Sequence, residues 1–270
     1  SSLLYRVAGV EKPLLDRTGR NLISVYIGIP FCTTRCLYCS FASNPIGRYS
    51  GMVGDYLGAL EKEMKAVRRI IDRNGYGIQS IYIGGGTPTS IDSGMLARLL
   101  NMVEKRLDLK SVEEYTVEAG RPDSLGVEKL KIIRESRATR ISINPQSMND
   151  ATLEAIGRSH TARDIIECFG TARGTGFKNV NMDIIAGLPG ETPDMFRHTL
   201  GELAALSPES LTVHTMAIKR ASRLRESLDR AKLPSGREAS DMVDTAYLYA
   251  EAMGMHPYYL YRQKNMLGNL

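Results

Sequence analysis

Three cysteines, Cys32, Cys36 and Cys39, fall within eight residues in the run Ile29-Pro-Phe-Cys32-Thr-Thr-Arg-Cys36-Leu-Tyr-Cys39-Ser40. Three thiolates at Cys-x3-Cys-x2-Cys spacing in one loop can converge on a single soft centre. Structural zinc asks for a fourth protein ligand, usually another Cys or a His. The nearest His in sequence is His160, and Cys168 sits in the helical pattern Ile165-Ile166-Glu167-Cys168-Phe169, where it reads as a small buried apolar residue. A [4Fe–4S] cluster tolerates three cysteines, because its fourth iron can be left open to an external ligand. Thiols clustered in this way are no disulfide framework, and no signal-peptide pattern opens the sequence. The expected compartment is therefore the reducing cytoplasm.

A second segment suggests a ligand. Gly84-Gly85-Gly86-Thr87-Pro88-Thr89 matches neither G-x-G-x-x-G nor G-x-x-x-x-G-K-[ST], so the dinucleotide and P-loop readings fail on spacing. Consecutive glycines leave backbone groups uncovered, which lets a polar ligand come close. A plain strand-to-helix turn is the alternative.

These segments need elements to position them. Short β-like runs alternate with helical patterns: Leu22 to Pro30, Ser80 to Ile83, Tyr115 to Ala119, Arg140 to Gln146, Asn179 to Ala186 and Ser210 to Ile218. Between them, Tyr56, Leu60, Met64, Val67 and Ile71 recur at helical spacing, as do Leu96, Leu99, Leu100, Val103 and Leu107. Thr192-Pro193 starts a third helix, carrying Leu200, Leu203 and Leu206, and Pro208 stops it. Such alternation predicts parallel strands joined by helical crossovers.

Each strand splits into two faces. One reads Val25, Ile27, Ile29; Ile81, Ile83; Val117, Ala119; Ile141, Ile143; Ile184, Ala186. The other reads Ser24, Tyr26, Gly28; Tyr82, Gly84; Thr116, Glu118, Gly120; Ser142, Asn144, Gln146; Asn181, Asp183; Thr215, Ala217. A doubly wound sheet is covered by helices on both faces and is apolar on both. A polar inner face predicts an incomplete barrel whose lumen holds a ligand, with Glu118, Gln146 and Asp183 together on that side. His214 is expected on the apolar face as a packing residue, and His198 in a solvated helical position.

Composition narrows the function classes. The 270 residues are 43% hydrophobic and 24% charged, enough to bury one large core, and a single α/β barrel runs to about this size. The apolar runs fall far short of the roughly 18 residues a membrane span requires. The formal charge is +5, from 35 Lys and Arg against 30 Asp and Glu, with no run of five basic residues, so nucleic acid is not expected as a partner.

The Cys32-x3-Cys36-x2-Cys39 motif after the first strand of a parallel barrel resembles the radical S-adenosylmethionine (SAM) superfamily. The flanking Val25-Tyr-Ile-Gly-Ile-Pro-Phe-Cys32 and Cys36-Leu-Tyr-Cys39-Ser-Phe41 are similar to the oxygen-independent coproporphyrinogen III oxidase family. The closing His256-Pro-Tyr-Tyr-Leu-Tyr-Arg-Gln-Lys-Asn-Met-Leu-Gly-Asn-Leu270 most resembles its HemZ branch. The resemblance runs from about Leu22 to the end of the chain.

It implies an incomplete (β/α)6 TIM-like barrel of the radical SAM type, over 22–255. Residues 1–21 would form an N-terminal extension, and 256–270 the start of a C-terminal extension. The sequence begins Ser-Ser rather than Met, and a trimmed fragment is expected. The implied cofactors are a [4Fe–4S] cluster on Cys32, Cys36 and Cys39, and SAM. Matching family positions assign SAM contacts to Gly85, Gly86, Thr87, Glu118, Gln146, Arg158, Asp183, Ile185 and Ala217. Arg158 suits the methionine carboxylate, Asp183 the ribose, and Ile185 and Ala217 the adenine. Tyr26 matches a further position near the cofactor, although a lumen-filling aromatic is an equal reading. Lys219, Arg220 and Arg223 follow the last strand at the ligand-bearing end, where they either meet substrate carboxylates or form a solvated loop.

The implied activity is oxidative decarboxylation of porphyrinogen propionates to vinyls, with a tetrapyrrole as substrate and a flavodoxin- or ferredoxin-like electron donor. A haem-binding chaperone of the same family and a radical SAM methyltransferase are the alternatives. Two departures bear on this choice. Phe41 stands where the oxidase branch carries a fourth Cys, and Gly28 where it carries a His. The chaperone branch's His-Asn pair is missing, its nearest counterpart being Gly268-Asn269.

Overall fold

The computed structural model describes residues 2–17, 19, 21–226, 232–260 and 266–267. A helix α1 (Ser2–Arg17) precedes β1 (Leu22–Ile29). Then come the two-residue strands β2 (Phe31–Cys32) and β3 (Asn44–Pro45), and helices α2 (Ile46–Tyr49) and α3 (Val53–Asn74). Strand and helix then alternate: β4 (Gly77–Gly85), α4 (Ser93–Arg106), β5 (Glu114–Gly120), α5 (Val127–Glu135) and β6 (Arg140–Gln146). After α6 (Asp150–Ala155) and α7 (Ala162–Gly174) come β7 (Val180–Ala186), α8 (Pro193–Leu206) and β8 (Ser210–Thr215), then α9 (Arg223–Glu226) and α10 (Gly236–Ala252).

The six long strands form one parallel sheet in the order β1-β4-β5-β6-β7-β8, which is the order of the chain itself. Each crossover steps to the adjacent strand, so the sheet curls into an open half-barrel with β1 and β8 as its edges. The apolar faces register as rows. Ile27, Ile83, Val117, Ile141 and Val180 align across five strands and are each at most 3% exposed. Against this convex face lie Leu57, Leu60, Met64 and Ile71 of α3 and Leu96, Leu99, Leu100 and Val103 of α4. Burying these side chains contributes roughly 1.5–3 kcal/mol each before chain entropy is set against it.

The helix ends follow local chemistry. Asp92 caps α4 by accepting from the Met95 N–H, and Thr192 caps α8 in the same way from Met195, with Pro193 in the first turn. Gly75 closes α3 in the left-handed region, at φ 65°. Cys168 lies buried in α7, where burial pushes its thiol up to about 12, and it packs as an apolar residue.

The polar faces also register, and they line the concave side. Tyr26, Tyr82, Thr116 and Arg140 form one row, and Glu118, Ser142, Asn181 and Ser210 the next. The last strand departs from expectation. It stops at Thr215, and its inner residues are Ser210, Thr212 and His214, since Asp183 pairs with Thr212 and Ile185 with His214. His214 is therefore not a packing residue on the apolar face: its Nε2 lies 3.8 Å from Asp183 Oδ2 inside the barrel. The expected phase was set by carrying the alternation through to Ala217. With the strand ended, Met216 and Ala217 turn in on a loop, and Ala217 forms an antiparallel bridge with Met266. Most of the closing His256–Leu270 segment, including Gly268-Asn269, lies outside the described residues.

A buried carboxylate ties the upper loops together. Glu191, 3% exposed, accepts from Ser147 Oγ at 2.6 Å and from Asn149 Nδ2 at 3.3 Å, while Thr199 of α8 takes the Met148 N–H at 3.0 Å. Burial pushes Glu191 up to about 7, against the two hydrogen bonds, and its Oε2 has no partner. The native fold thus favours the protonated acid, and stability falls as pH rises from the unfolded carboxyl's value through about 7. Glu191→Gln removes that slope. Urea melts of the wild type should lose about 2–3 kcal/mol between pH 5 and pH 8 relative to the variant. Parallel pH profiles for the two proteins would contradict the assignment.

Candidate active site

The cysteine loop leaves the top of β1 and is closed at its neck by β2 and β3. Phe31 pairs with Asn44 and Cys32 with Pro45, and the Asn44 N–H donates to the Pro30 carbonyl at 2.9 Å. The loop is then fastened to the barrel at several points. Leu37 N–H donates to Ile156 O at 3.0 Å, Thr34 Oγ1 to Gly157 O at 3.0 Å, Arg35 Nη2 to Ala221 O at 2.6 Å, and Leu224 N–H to Leu37 O at 2.9 Å.

The glycine run after β4 has a steric reason to be there. Gly86 N–H donates to Ile29 O and Thr87 N–H to Phe31 O, both at 2.7 Å, so this turn runs directly under the cysteine loop. A Cβ on Gly86 would lie 2.5 Å from Phe31 O and 2.9 Å from Cys32 Sγ. On Gly84 it would meet Glu118 Oε2 at 2.7 Å, and Gly85 adopts φ +108°, 3.0 Å from the Ile29 backbone. Close approach of the cysteine loop, rather than exposure to ligand alone, requires Gly86, while Gly84 is crowded by Tyr82 and Glu118 and Gly85 by the β1 backbone. Thr87 Oγ1 then sits 3.6 Å from Cys32 Sγ.

Loop and barrel enclose a cavity of about 440 Å³, within the range of small-molecule sites. Cys32, Cys36 and Cys39 all line it, with Gly85, Gly86, Thr87, Glu118, Gln146, Arg158, Asp183, Ile185 and Ala217. Tyr26 does not. It lies 62% exposed on the edge strand β1, stacked on Tyr82 at 6.0 Å between ring centroids. Burial pushes the Cys39 thiol up, and Cys36 and Cys32 add to the shift. Among the described residues, no group of three or more His, Cys, Asp or Glu is drawn together to hold one metal ion. A cuboidal cluster seats each thiolate on a separate iron, and the three thiols present, all lining one cavity, are the donor set it takes.

The wall opposite is a polar chain. Asn144 Nδ2 donates to Glu118 Oε1 at 2.9 Å, Ser142 Oγ to Asn144 Oδ1 at 2.8 Å, and Asn181 Nδ2 to Ser142 Oγ at 2.9 Å and Asp183 Oδ1 at 2.5 Å. Burial first, and the Asp183 charge second, push Glu118 up to about 8, against a backbone hydrogen bond from Gly85, the Arg158 charge and Asn144. Two carboxyls facing one cavity, beside the Arg158 guanidinium, suit a ligand that brings positive charge or hydroxyl donors together with a carboxylate. Gln146 ends β6 at φ 68°, where the register with β7 shifts. Such strain in a side-chain-bearing residue costs of order 1–3 kcal/mol and concentrates at functional sites.

Arg158 lies between these two parts. Its Nη1 donates to Asn144 O at 3.2 Å and Nη2 to Tyr38 Oη at 3.1 Å, while the buried Nε has no partner. A guanidinium that lines the cavity suits an incoming carboxylate. At the rim stand His214 and Lys219. Motif reading passed over Tyr38, Arg121 and the inward side of His214. Arg121 has a weak sequence signal, standing directly after the inward Glu118-Ala119-Gly120 end of β5.

Comparison with known proteins agrees with this geometry. Residues 26–203 match the model of the radical SAM superfamily. The chain is 46% identical over 252 residues to the oxygen-independent coproporphyrinogen-III oxidase-like protein HemZ of Bacillus subtilis, covering 93% of this chain and 50% of that protein. It is 35% identical to the heme chaperone HemW of Bacillus subtilis, covering 87% and 62%. Among solved structures, the coproporphyrinogen III oxidase HemN of Escherichia coli, a radical SAM enzyme, matches with a TM-score of 0.72 at 26% identity, over 87% of this chain and 53% of that one. The chain thus spans about half to three-fifths of the length of these relatives. The superfamily uses a [4Fe–4S] cluster and SAM. A half-barrel with three thiols and an acid-lined cavity at the carboxyl ends of its strands is the corresponding architecture, and the chain belongs to the radical SAM superfamily, in its oxygen-independent coproporphyrinogen III oxidase-like family.

Proposed function

We propose that the chain is the catalytic barrel of a radical SAM oxidoreductase acting on a porphyrinogen, with oxidative decarboxylation of propionate side chains as its reaction. The observation that carries the reading is one cavity lined at once by Cys32, Cys36 and Cys39 and by the SAM-position residues from Gly85 to Ala217. When bound, the cluster supplies the electron that cleaves SAM to methionine and a 5′-deoxyadenosyl radical. Cys32, Cys36 and Cys39 would hold the cluster. Arg158, whose guanidinium belongs to the cavity lining, would take the methionine carboxylate. Glu118 and Asp183 would receive hydroxyl or cationic groups, with Ile185 and Ala217 as the apolar flank for a base. Fastening the loop to Ile156, Gly157 and Ala221 keeps the thiols on the cavity wall and limits entry of water.

In the net reaction a hydrogen leaves the propionate β-carbon. Carbon dioxide leaves with loss of one further electron to an acceptor, and a vinyl group remains. Lys219 at the rim is placed for a substrate carboxylate. A flavodoxin- or ferredoxin-like protein would donate the electron. A thiol-held cluster calls for a reducing compartment, which supports the cytoplasm, and no helix among the described residues is long and apolar enough to cross a membrane.

The test is anaerobic incubation of reconstituted protein with coproporphyrinogen III, SAM and a reductant. Vinyl product with one 5′-deoxyadenosine per vinyl is expected, and SAM cleavage without any vinyl product would reject this substrate. The identity with HemW favours a second reading, haem trafficking. That reading predicts stable haem binding by the full-length protein and no porphyrinogen turnover.

A further inference from the structure

The cysteine loop rests on an ion pair, between a buried arginine and a nearby aspartate, that no motif assigns. Arg121 follows Gly120 at the top of β5 and is 3% exposed. Its Nε and Nη2 fork onto Asp123, at 2.9 Å to Oδ1 and 2.8 Å to Oδ2. Its Nη1 donates to Thr34 Oγ1 at 2.9 Å, lies 3.2 Å from Thr34 O, and stands 3.9 Å from Cys36 Sγ. Asp123 also accepts from Thr33 Oγ1 at 3.1 Å and lies 3.7 Å from Nδ1 of the buried His160. Asp123 therefore clamps both the guanidinium and the residue next to Cys32, while Thr34 and Cys36 share Nη1. A strut alone would need only the contacts to Asp123 and Thr34. The approach to Cys36 Sγ is additional, and it comes from a planar fork that a lysine cannot reproduce.

The electrostatics give that contact a direction. An N–H aimed at a thiolate sulfur stabilises it more as negative charge grows on the cluster, so the reduced form gains more than the oxidised form. The donor is itself held in place, with the guanidinium 3% exposed and its other N–H groups bonded to Asp123 and Thr34.

We infer that Arg121 is a positioning residue for the cluster: it donates to the Cys36 thiolate, raises the cluster's reduction potential, and holds the loop's register through Asp123. The inference rests on the ligand assignment proposed above.

The experiment is an anaerobic redox titration followed by EPR on reconstituted wild type, R121M and R121K, with iron and sulfide assayed in each. R121M carrying full iron should show a lower midpoint potential. At the potential that half-reduces the wild type, its reduced-to-oxidised ratio should fall about tenfold, equivalent to 59 mV for a one-electron couple. R121K, which keeps the charge without the fork, should fall between the two. An unchanged potential in iron-replete R121M overturns the role of Arg121 alone. Pulsed EPR of the reduced wild type grown with 15N-arginine needs no variant. Coupling of the cluster spin to a guanidinium nitrogen is expected, and its absence overturns the inference. Absence of any cubane signal from the wild type would overturn the ligand assignment, and this inference with it.

Discussion

Gly86→Ala should strip the protein of its cluster while leaving all three cysteines in place. The added methyl would stand 2.5 Å from Phe31 O and 2.9 Å from Cys32 Sγ, distances no real Cβ tolerates. The first obstacle is backbone, held in turn by the Thr87 N–H to Phe31 O bond at 2.7 Å, so no side chain can swing aside. The loop itself must shift, by about half an ångström or more, and Cys32 shifts with it. Misplacement of a reacting group on the ångström scale costs on the order of 100-fold in rate, and a cluster that needs all three thiols is more sensitive still. Iron per chain after anaerobic reconstitution should fall to a small fraction of wild type, and SAM cleavage with it. The β-sheet core lies beneath the loop, so the far-ultraviolet circular dichroism spectrum should stay native. Wild-type iron content in Gly86→Ala would show that the turn does not support the loop as described.

Glu118→Gln has the second largest expected effect, on SAM affinity and on its proton linkage. Glu118 is held up to about 8 by burial and by Asp183. At pH 7 it is mostly protonated, and a sulfonium ligand in the same cavity favours its ionised form. SAM binding at pH 7 should therefore release about one more proton from the wild type than from the variant. Losing a charged partner to the ligand costs about 1.5–3 kcal/mol, or roughly 10- to 100-fold in Kd. The sign follows from the raised value: the wild-type advantage grows as pH rises from 7 toward 8 and then levels off. Calorimetry in buffers of different ionisation enthalpy measures both quantities. Equal affinity and equal proton release in the two proteins would remove Glu118 from the SAM site. Asn144 Nδ2, which now donates to Glu118 Oε1 at 2.9 Å, can keep that bond to the amide oxygen of Gln, so the test probes charge more than architecture.

The inner faces of β1, β4, β5, β6 and β7 were legible because a parallel strand alternates strictly and a helical layer demands an apolar outer face. Glu118, Ser142 and Asn181 share one row in the structure for that reason. The phase failed only at β8. Counting inward positions back from Ala217 assumes a strand to Ile218, but the strand ends at Thr215, so His214 is inward while Thr215, at the strand end, also lines the cavity. The polar-apolar alternation of Ser210-Leu-Thr-Val-His-Thr215 is itself correct once the strand end is known.

The glycine run was legible as a close approach, but what approaches Gly86 is the chain's own cysteine loop, more than fifty residues earlier in sequence. Arg121 was legible only weakly, from its place directly after β5. Its partner Asp123 is local, but Thr34 and Cys36 lie on the cysteine loop, which only the folded sheet brings to Arg121, and no periodicity or motif encodes a contact of that kind. Arg158 shows the converse. A family position marks it, while its open Nε is visible only once the bonds to Asn144 and Tyr38 are in place.

Cys32, Cys36 and Cys39, which line the cavity, would hold the [4Fe–4S] cluster beside bound SAM. The most direct test of this assignment is EPR of the reduced, anaerobically reconstituted protein before and after addition of SAM. The account predicts a [4Fe–4S]⁺ signal whose g-values shift when SAM binds, and which is lost in Cys36→Ala. A full-intensity signal that SAM leaves unchanged, or one that survives intact in Cys36→Ala, would contradict it.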